Sequence, residues 1–459
     1  MNSHFDFLVF KTDRIASTKP VSPGWRFALG NPAASTQHPG PRGARSSILA
    51  CLWLVFGAGL FNTRAADLLW TNAAGGAWNT PSNWSPNQVP TAGDRVWITN
   101  SGTYRITVSG GGAAGELALG GASGVQTLSL MSGTFIVGRG TGNTNGVLSL
   151  SGGTLGGGGG WVLAGPLNWT GGTITNTVQC AGGSIGSSAT KTLRQGGLVN
   201  TGVLTFSGGY LELYDGASLS NLASATFDVT ADCDLSYYAG NNGLIYNAGL
   251  FRKSGGTAQT LVMAQFFNDS SGTISAEMGT LRLGGGGTYR GTATTGSNGT
   301  LSFHAGVHTF TPDAVLGGAG TLECSGSAVL SLSKSATVEV LTLNGGRLTG
   351  SGTLTANRLL WQTGTLETTI RCLGGEIRSD TTSPPRLRAG CLINSGLLTA
   401  GLIATEEGAT LTNLSTGILD FTNATAGIRH DAGAYGTFHN AGLVRRTGPG
   451  SLACSIGEP

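Results

Sequence analysis

One phrase occurs twice in this chain, and its recurrence constrains the fold more than any other sequence feature. WTGGTITNTVQCAGGSI begins at Trp169, and WQTGTLETTIRCLGGEI begins at Trp361, 192 residues later. LVNTGVL and YNAGLFRKSGG return in the same order as LINSGLL and HNAGLVRRTGP. Because the offset stays between 192 and 194, residues 147–253 and 340–446 are predicted to be two copies of one structural unit.

A shorter repeat of about 20 residues lies inside each copy. TLSLMSGTF at Thr127 is followed by VLSLSGGTL at Val147, and Gly pairs follow such segments throughout the chain. Leu alternates with Ser or Thr, which puts the Leu side chains on one face of a strand. The Gly pairs allow sharp corners with positive φ. Strands this short can bury their apolar faces only against neighbouring coils, so we predict an all-β, right-handed parallel β-helix (solenoid) of about 15–20 coils.

Composition agrees with an ordered, strand-rich chain. The sequence has 79 Gly but only 14 Pro among 459 residues, without the strict three-residue period of collagen. Its 39% hydrophobic and 11% charged content differs from that of disordered chains, which are rich in charge and poor in aliphatic residues. A propeller would need a steadier blade period, and a row of sandwich domains would need clearer linkers.

The charge distribution argues against a nucleic-acid partner. Of the 26 Lys and Arg and 23 Asp and Glu, seven basic and two acidic residues precede Asp67, which leaves 19 basic against 21 acidic residues. The chain from Asp67 onward is close to neutral and has no basic run that could bind a phosphate backbone.

The N-terminal region is predicted to direct export. Residues 46–65 contain an uncharged apolar run, Ile48–Phe61, after Arg42 and Arg45, and we expect cleavage after Ala65. An uncleaved anchor is the alternative, although the run is shorter than the roughly 20 residues of a spanning helix. No transmembrane helix is therefore expected in the mature chain. Residues 1–45 are predicted to be an unstructured leader or a mis-assigned start.

Residues 66–110 are predicted to form a Trp-rich N-terminal cap, and the solenoid is predicted over 111–459. An open β-helix end exposes unpaired strand edge, which a cap must cover. Trp70, Trp78, Trp84 and Trp97 are expected to pack there. The alternative is that Trp78, Trp84 and Trp97 bind glycans through their ring faces.

The segment WTNAAGGAWNTPSNWSPNQVPTAGDRVWIT, together with the later NAGLFRKSGGTAQTLVMAQFFNDSSGTISAEMGTLRLGGGG, resembles bacterial exported β-helical repeat proteins. These are the autotransporter-passenger-like and haemagglutinin-like surface proteins. The resemblance implies surface display with adhesive, matrix or scaffold roles, and it implies no active-site residue. Because no amphipathic barrel segment closes the chain and the second copy stops early, we expect a C-terminal truncation.

The best acidic cluster is Asp228, Asp232 and Asp234, whose even spacing would place all three carboxylates on one face of an extended strand. Such a row could bind calcium or act on a polysaccharide. The second copy retains only Asp420, with Ala424 and Ala426 in the other two places. A solvated outer strand face is therefore preferred, as it is for Glu406 and Glu407, and no metal site is predicted.

Cysteine and histidine give no further site. Six Cys follow the leader without metal spacing, and they are interpreted as structural thiols: Cys180, Cys233, Cys324, Cys372, Cys391 and Cys454. Cys180 and Cys372 occupy equivalent places in the two copies, so a solenoid forbids a bond between them. His304 and His308 lack a carboxylate or Cys beside them, and no cofactor is expected.

These observations predict a non-catalytic, exported, structural or adhesin-like β-helix at the cell surface, in the outer membrane or outside the cell, with surface glycans or extracellular matrix as partners. The oligomeric state stays open. Alternatives are a polysaccharide-acting β-helix enzyme (a lyase or hydrolase) and a carbohydrate-binding surface module. A cluster of Asp, Arg, Lys or His in one groove would favour the enzyme, whereas the presence of only three Lys beyond the leader, Lys191, Lys253 and Lys334, argues against it.

Overall fold

The computed structural model describes residues 65–236, 240–378 and 383–449. The predicted leader, nearly all of the predicted signal peptide and Cys454 lie outside these ranges. The described residues belong to one compact unit, and none of their helices has the length and apolar character needed to cross a membrane.

The described residues form 39 strands and one 3-10 helix, Pro81–Asn83. The strands before and within the first copy are β1 Asp67–Trp70, β2 Gly76–Ala77, β3 Trp84–Ser85, β4 Arg95–Ile98, β5 Tyr104–Val108, β6 Gly112–Leu119, β7 Gln126–Leu130, β8 Thr134–Gly142, β9 Gly146–Leu150, β10 Thr154–Gly156, β11 Trp161–Leu163, β12 Leu167–Trp169, β13 Gly172–Ile174, β14 Thr177–Ile185, β15 Lys191–Arg194, β16 Gly197–Phe206, β17 Tyr210–Tyr214, β18 Ser218–Asn221, β19 Thr226–Val229, β20 Asp234–Ser236, β21 Leu244–Asn247 and β22 Leu250–Lys253.

The later strands are β23 Gln259–Val262, β24 Gln265–Asn268, β25 Thr273–Leu283, β26 Gly287–Tyr289, β27 Thr292–Phe303, β28 Val307–Phe310, β29 Val315–Gly318, β30 Thr321–Leu332, β31 Ala336–Ile377, β32 Arg386–Arg388, β33 Cys391–Ala400, β34 Leu402–Glu406, β35 Thr410–Asn413, β36 Ile418–Phe421, β37 Gly427–Ala432, β38 Thr437–Asn440 and β39 Leu443–Arg446.

The strands stack in parallel, coil upon coil. In β7 and β9, for example, Thr127 lies opposite Val147, which is the 20-residue repeat read from the sequence. The predicted β-solenoid is confirmed, with about 16 turns. One pairing is antiparallel: β1 runs against β3 at the N-terminal end, while also pairing in parallel with β4. The first coil therefore begins inside the range predicted as the cap.

The core is built from columns of inward-facing aliphatic residues. Leu128 lies opposite Leu148, which lies opposite Leu167, and all three are fully buried. Each buried Leu side chain contributes about 1.5–3 kcal/mol relative to exposure. Since every coil covers its neighbours in this way, short strands that would not fold alone become stable together.

The two copies share an irregularity in the same place. The register between β14 and β16 shifts at Cys180 and Gly182, and that between β31 and β33 shifts at Cys372 and Gly374. The following residue, Gly375, has a φ of 142°, and a Cβ there would lie 2.0 Å from the carbonyl oxygen of Leu359. Only Gly fits this corner without a clash, which explains why the motif CxGG recurs.

The Cys thiols of the described residues are free, and Cys180 and Cys372 are both buried without a disulfide, as the repeat geometry required. Burial raises the pKa of the Cys180 thiol to about 11 and that of Cys372 to about 12. Thiols of this kind are unreactive structural groups.

Asparagine side chains form a ladder that begins one coil after each of these cysteines. Asn200, Asn221 and Asn247 of the first copy stack in register with one another and with Asn268 of the next coil. Each Nδ2 donates to the next Oδ1, over 2.9, 2.8 and 2.7 Å. The second copy repeats the arrangement with Asn394, Asn413 and Asn440. We call these sets the first and second asparagine ladders; such ladders are a known stabilising device of stacked parallel strands.

Candidate functional site

Three of the four cap tryptophans form a buried cluster, as expected. Trp84 packs edge-on against Trp70 and Trp78, with ring centroids 4.9 and 4.8 Å apart. The Trp84 indole N–H donates to the Trp78 carbonyl oxygen over 2.8 Å. Because Trp78 and Trp84 are 0% and 3% exposed, neither can present a ring face to a glycan. The alternative that Trp78 and Trp84 bind glycans through their ring faces is therefore wrong.

Trp97 differs from the others, and the expectation that it packs inside the cap is corrected. Its side chain is 42% exposed because it points outward from β4, one residue away from the buried Val96 and Ile98. It lines a hollow of about 140 Å³ together with Arg95, Glu116 and Arg139. Of the three predicted glycan contacts, only Trp97 keeps an accessible face.

The acidic cluster does not form a row on one strand. Asp228 lies in β19, Asp232 follows after that strand has ended, and Asp234 begins β20. The chain turns between the two strands, so alternation along one strand does not apply to the three carboxylates. The premise of a shared strand face is corrected.

Each of these carboxylates already has a structural partner. Asp228 is buried and binds Arg252 at 2.7 Å and the Ser254 hydroxyl at 2.5 Å. Asp232 pairs with Lys253 at 2.8 Å, and Asp234 accepts the backbone N–H of Leu261. The preferred interpretation of Asp228 as a solvated residue is therefore wrong.

The second copy preserves the Asp228 arrangement. Asp420 is also buried, pairs with Arg445 at 2.9 Å and accepts the Thr447 hydroxyl at 2.8 Å. The duplication has kept a buried carboxylate paired with a partly exposed arginine of the adjacent coil, which is a structural use of the carboxylate.

Two of the three lysines beyond the leader are fully buried. The Lys191 ammonium donates to the carbonyl oxygens of Gly186, Ser187 and Gly208. Lys253 donates to Asp232 and to two carbonyl oxygens. Burial lowers the pKa of Lys191. Both ammonium groups stabilise a turn of the coil, because they donate hydrogen bonds to backbone oxygens that would otherwise lack donors.

The two histidines of the predicted pair, His304 and His308, have different contacts. His308 is fully buried, where one ring nitrogen lies 2.8 Å from the Tyr289 hydroxyl and the other 2.8 Å from the Ala305 carbonyl oxygen. His304 contacts the Ser325 hydroxyl instead. Within the described ranges, no group of three or more His, Cys, Asp or Glu side chains could hold a metal ion.

A chain of alternating charges crosses the coils of the second copy. Glu367 lies between Arg347 at 3.2 Å and Arg388 at 3.7 Å. Glu406 lies between Arg388 and Arg386. Glu406 is 8% exposed, which corrects its interpretation as a solvated residue. The exposed edge of this chain borders an open hollow of about 500 Å³; we call it the Arg–Glu hollow.

The site that sequence reasoning missed is an aromatic pair on the outer face of the coils at the end of the first copy. The rings of Tyr246 and Phe267 stack with centroids 5.2 Å apart and an interplanar angle of 14°. They line a groove of about 420 Å³, together with Leu222, Asp269 and Arg290. Tyr246 is 44% exposed and Leu222 41%, so both are accessible from solvent. We call this the aromatic groove.

Strand register builds the aromatic groove from two columns. The central column is Ser220, Tyr246, Phe267 and Thr288, one residue from each of four successive coils. The rim column, two residues further along each coil, is Leu222, Ala248, Asp269 and Arg290. Coils are about 4.8 Å apart, so four of them give the groove a length of about 14 Å.

One sequence signal could have located this groove. Each central residue except Thr288 immediately precedes an Asn of the first asparagine ladder, in the pairs Ser-Asn, Tyr-Asn and Phe-Asn. Because those Asn side chains point inward, the preceding residues must point outward in one column. In the second copy the residues equivalent to Ser220 and Tyr246 are Thr412 and His439, so the place of Tyr246 is taken there by an imidazole.

Comparisons with protein-family models, with curated proteins and with solved structures each gave no match to this chain.

Proposed function

We propose that this chain is a non-catalytic, exported, structural or adhesin-like β-solenoid that serves as a scaffold for cell-surface or matrix contact. The resemblance to exported bacterial repeat proteins and the apolar N-terminal run support export. The observation that carries the non-catalytic part is the use of ionisable groups. Asp228 and its copy Asp420 are buried and paired with Arg252 and Arg445 of the adjacent coils. Two of the three lysines beyond the leader are buried against carbonyl oxygens.

This distribution favours a scaffold because acid–base chemistry requires a group that can reach substrate. A catalytic carboxylate or amine must lie within hydrogen-bond distance of the proton that it transfers. Asp228 and Lys253 are closed off inside the stack and saturated by protein partners. Groups held in this way rigidify the coils, which is what a scaffold needs.

The test is to express the full chain, tagged at its C-terminus, in a bacterial host with an intact export pathway. We expect the mature product to begin at Ala66 and to be digested when protease is added to intact cells. Purified protein incubated with neutral and acidic polysaccharides should release neither new reducing ends nor unsaturated uronates. Cytoplasmic retention of the unprocessed chain would refute export, and product release would refute the non-catalytic role.

A polysaccharide-acting enzyme is the second candidate, and the Arg–Glu hollow favours it. Glu367 and Arg388 line this hollow, and Glu406 lies opposite Arg388 on the next coil. Both carboxylates contact the Arg388 guanidinium, at 3.7 and 3.9 Å. A pair of nearby carboxylates is what glycoside hydrolases use as acid and base. Each carboxylate is engaged by Arg side chains, for which reason the scaffold is preferred. If product is released, Glu367→Gln should abolish it.

A further inference from the structure

We propose that the aromatic groove is a saccharide-binding site, in which a pyranose ring lies flat against the free face of Phe267 or Tyr246. This assignment rests on the proposed surface-contact function and gives it a ligand class and a location. It differs from the Trp-based alternative, because Trp78 and Trp84 are buried.

The stacking geometry leaves one ring face free on each aromatic residue. Tyr246 and Phe267 stack along the coil axis, each covering one face of the other. The next residues in the column are small: Ser220 precedes Tyr246, and Thr288 follows Phe267. A side chain as short as Ser or Thr does not cover an aromatic ring, so a gap remains against each outer ring face. Apolar walls of this kind hold the C–H face of a ligand.

Polar groups on the rim suit the hydroxyls of a sugar. Asp269 and Arg290 are both exposed and line the groove on adjacent coils. One Asp269 carboxylate oxygen accepts the Ser270 backbone N–H, which leaves the other oxygen for a ligand. Within the described ranges the Arg290 guanidinium has no ion pair. The small side chain of Ala248 between them and Leu222 opens access to Tyr246. An aromatic platform with a few convergent polar groups is the usual composition of a small-molecule site.

Other occupants fit less well. An extended peptide would need a free strand edge, but β21 and β24 are paired on both sides. A nucleic acid would need a basic surface, and here the Arg290 charge is opposed by Asp269. An apolar helix would need a groove without charges along its rim. A saccharide alone uses both the ring faces and the mixed polar rim.

The test uses the full mature chain and an array of neutral and acidic oligosaccharides, followed by titration calorimetry with the best one. The alanine variant of the ring that carries the sugar, Tyr246→Ala or Phe267→Ala, should weaken binding at least about tenfold because it removes the stacking surface. Tyr210→Ala is the matched control: Tyr210 is 50% exposed but lies in β17, which pairs with β15 and β20 on another face. It should leave the affinity unchanged.

A filling variant makes the test independent of stability. Thr288→Ile would fill the gap beside Phe267 with an aliphatic side chain and would present no new ring face. It should abolish binding of a saccharide seated there while keeping the melting temperature. The proposal is overturned if the wild-type chain binds no oligosaccharide, or if binding survives in both alanine variants. Binding that is lost in Trp97→Ala instead would overturn the groove assignment while leaving the surface-contact function standing.

Discussion

Asn221 makes hydrogen bonds to both of its neighbours in the first asparagine ladder, and replacing it tests whether these stacked amides stabilise the coils. Its Nδ2 donates to Asn247 Oδ1 at 2.8 Å and to the Leu250 carbonyl oxygen at 3.0 Å. Its Oδ1 accepts from Asn200 Nδ2 at 2.9 Å. The side chain is 1% exposed, so no water can replace these bonds.

The cost of Asn221→Ala follows from the partners that remain. Asn200 Nδ2 keeps its bonds to two carbonyl oxygens. Asn247 Oδ1 is left buried without its donor, which costs about 1–3 kcal/mol, and each of the other two lost hydrogen bonds adds about 1 kcal/mol. We expect a total loss of about 3–5 kcal/mol. Asn413→Ala, at the equivalent place in the second ladder, should cost less because its acceptor Asn440 is exposed.

The assay is urea denaturation combined with hydrogen exchange measured by mass spectrometry, since repeat proteins can lose a few coils without unfolding globally. Exchange should accelerate over residues 197–275 in Asn221→Ala and remain slow in the N-terminal coils. Asn298→Ala is the matched control, because Asn298 is exposed in β27; it should change stability by less than about 0.5 kcal/mol. Equal effects of the two substitutions would refute the role of the ladder.

Two further predictions concern a corner and a buried imidazole. Gly375→Ala should destabilise the chain by about 3 kcal/mol or more in urea denaturation, because its Cβ would collide with a backbone oxygen at positive φ. Gly158 has open space for a Cβ, so the control Gly158→Ala should cost less than about 1 kcal/mol. A similar loss of stability in both variants would contradict the steric argument. Burial lowers the pKa of His308 from 6.5 to about 4. As the pH drops from 6.5 to 4, the unfolded chain therefore binds this proton before the folded chain does, and the free energy of unfolding falls by about 3 kcal/mol. His308→Gln should remove that part of the pH dependence, and an unchanged pH profile would show that the imidazole is not held neutral.

The architecture was predictable because it depends on local chemistry that repeats. Alternating Leu and Ser, such as Leu128 with Ser129, and Gly pairs at corners determine strand faces and turns without reference to distant residues. The duplication then placed Cys180 and Cys372 in equivalent coils. The predictions failed where a short sequence distance was read as one strand: the corner between Asp228 and Asp234 was not recognised.

The candidate site was less predictable because it depends on register between coils. Tyr246 and Phe267 are 21 residues apart, and they meet only because their coil has that length. Coils elsewhere differ in length, as between Asn221 and Asn247, which are opposite each other although 26 residues apart. Composition alone also could not separate Trp97 from Trp78; their burial differs because the two lie on opposite faces of the coil wall.

The most direct test of the account is a crosslink between adjacent coils on the outer face. Thr288 lies opposite Thr309 in the next coil, and Thr309 opposite Ser331 in the one after. Adjacent coils are about 4.8 Å apart, within the Cα range of a disulfide, whereas two coils are about 10 Å apart. With coils stacked in this register, Thr288→Cys with Thr309→Cys should form a disulfide on mild oxidation, and Thr288→Cys with Ser331→Cys should not. A bond in the second pair and none in the first would contradict the stacked parallel register.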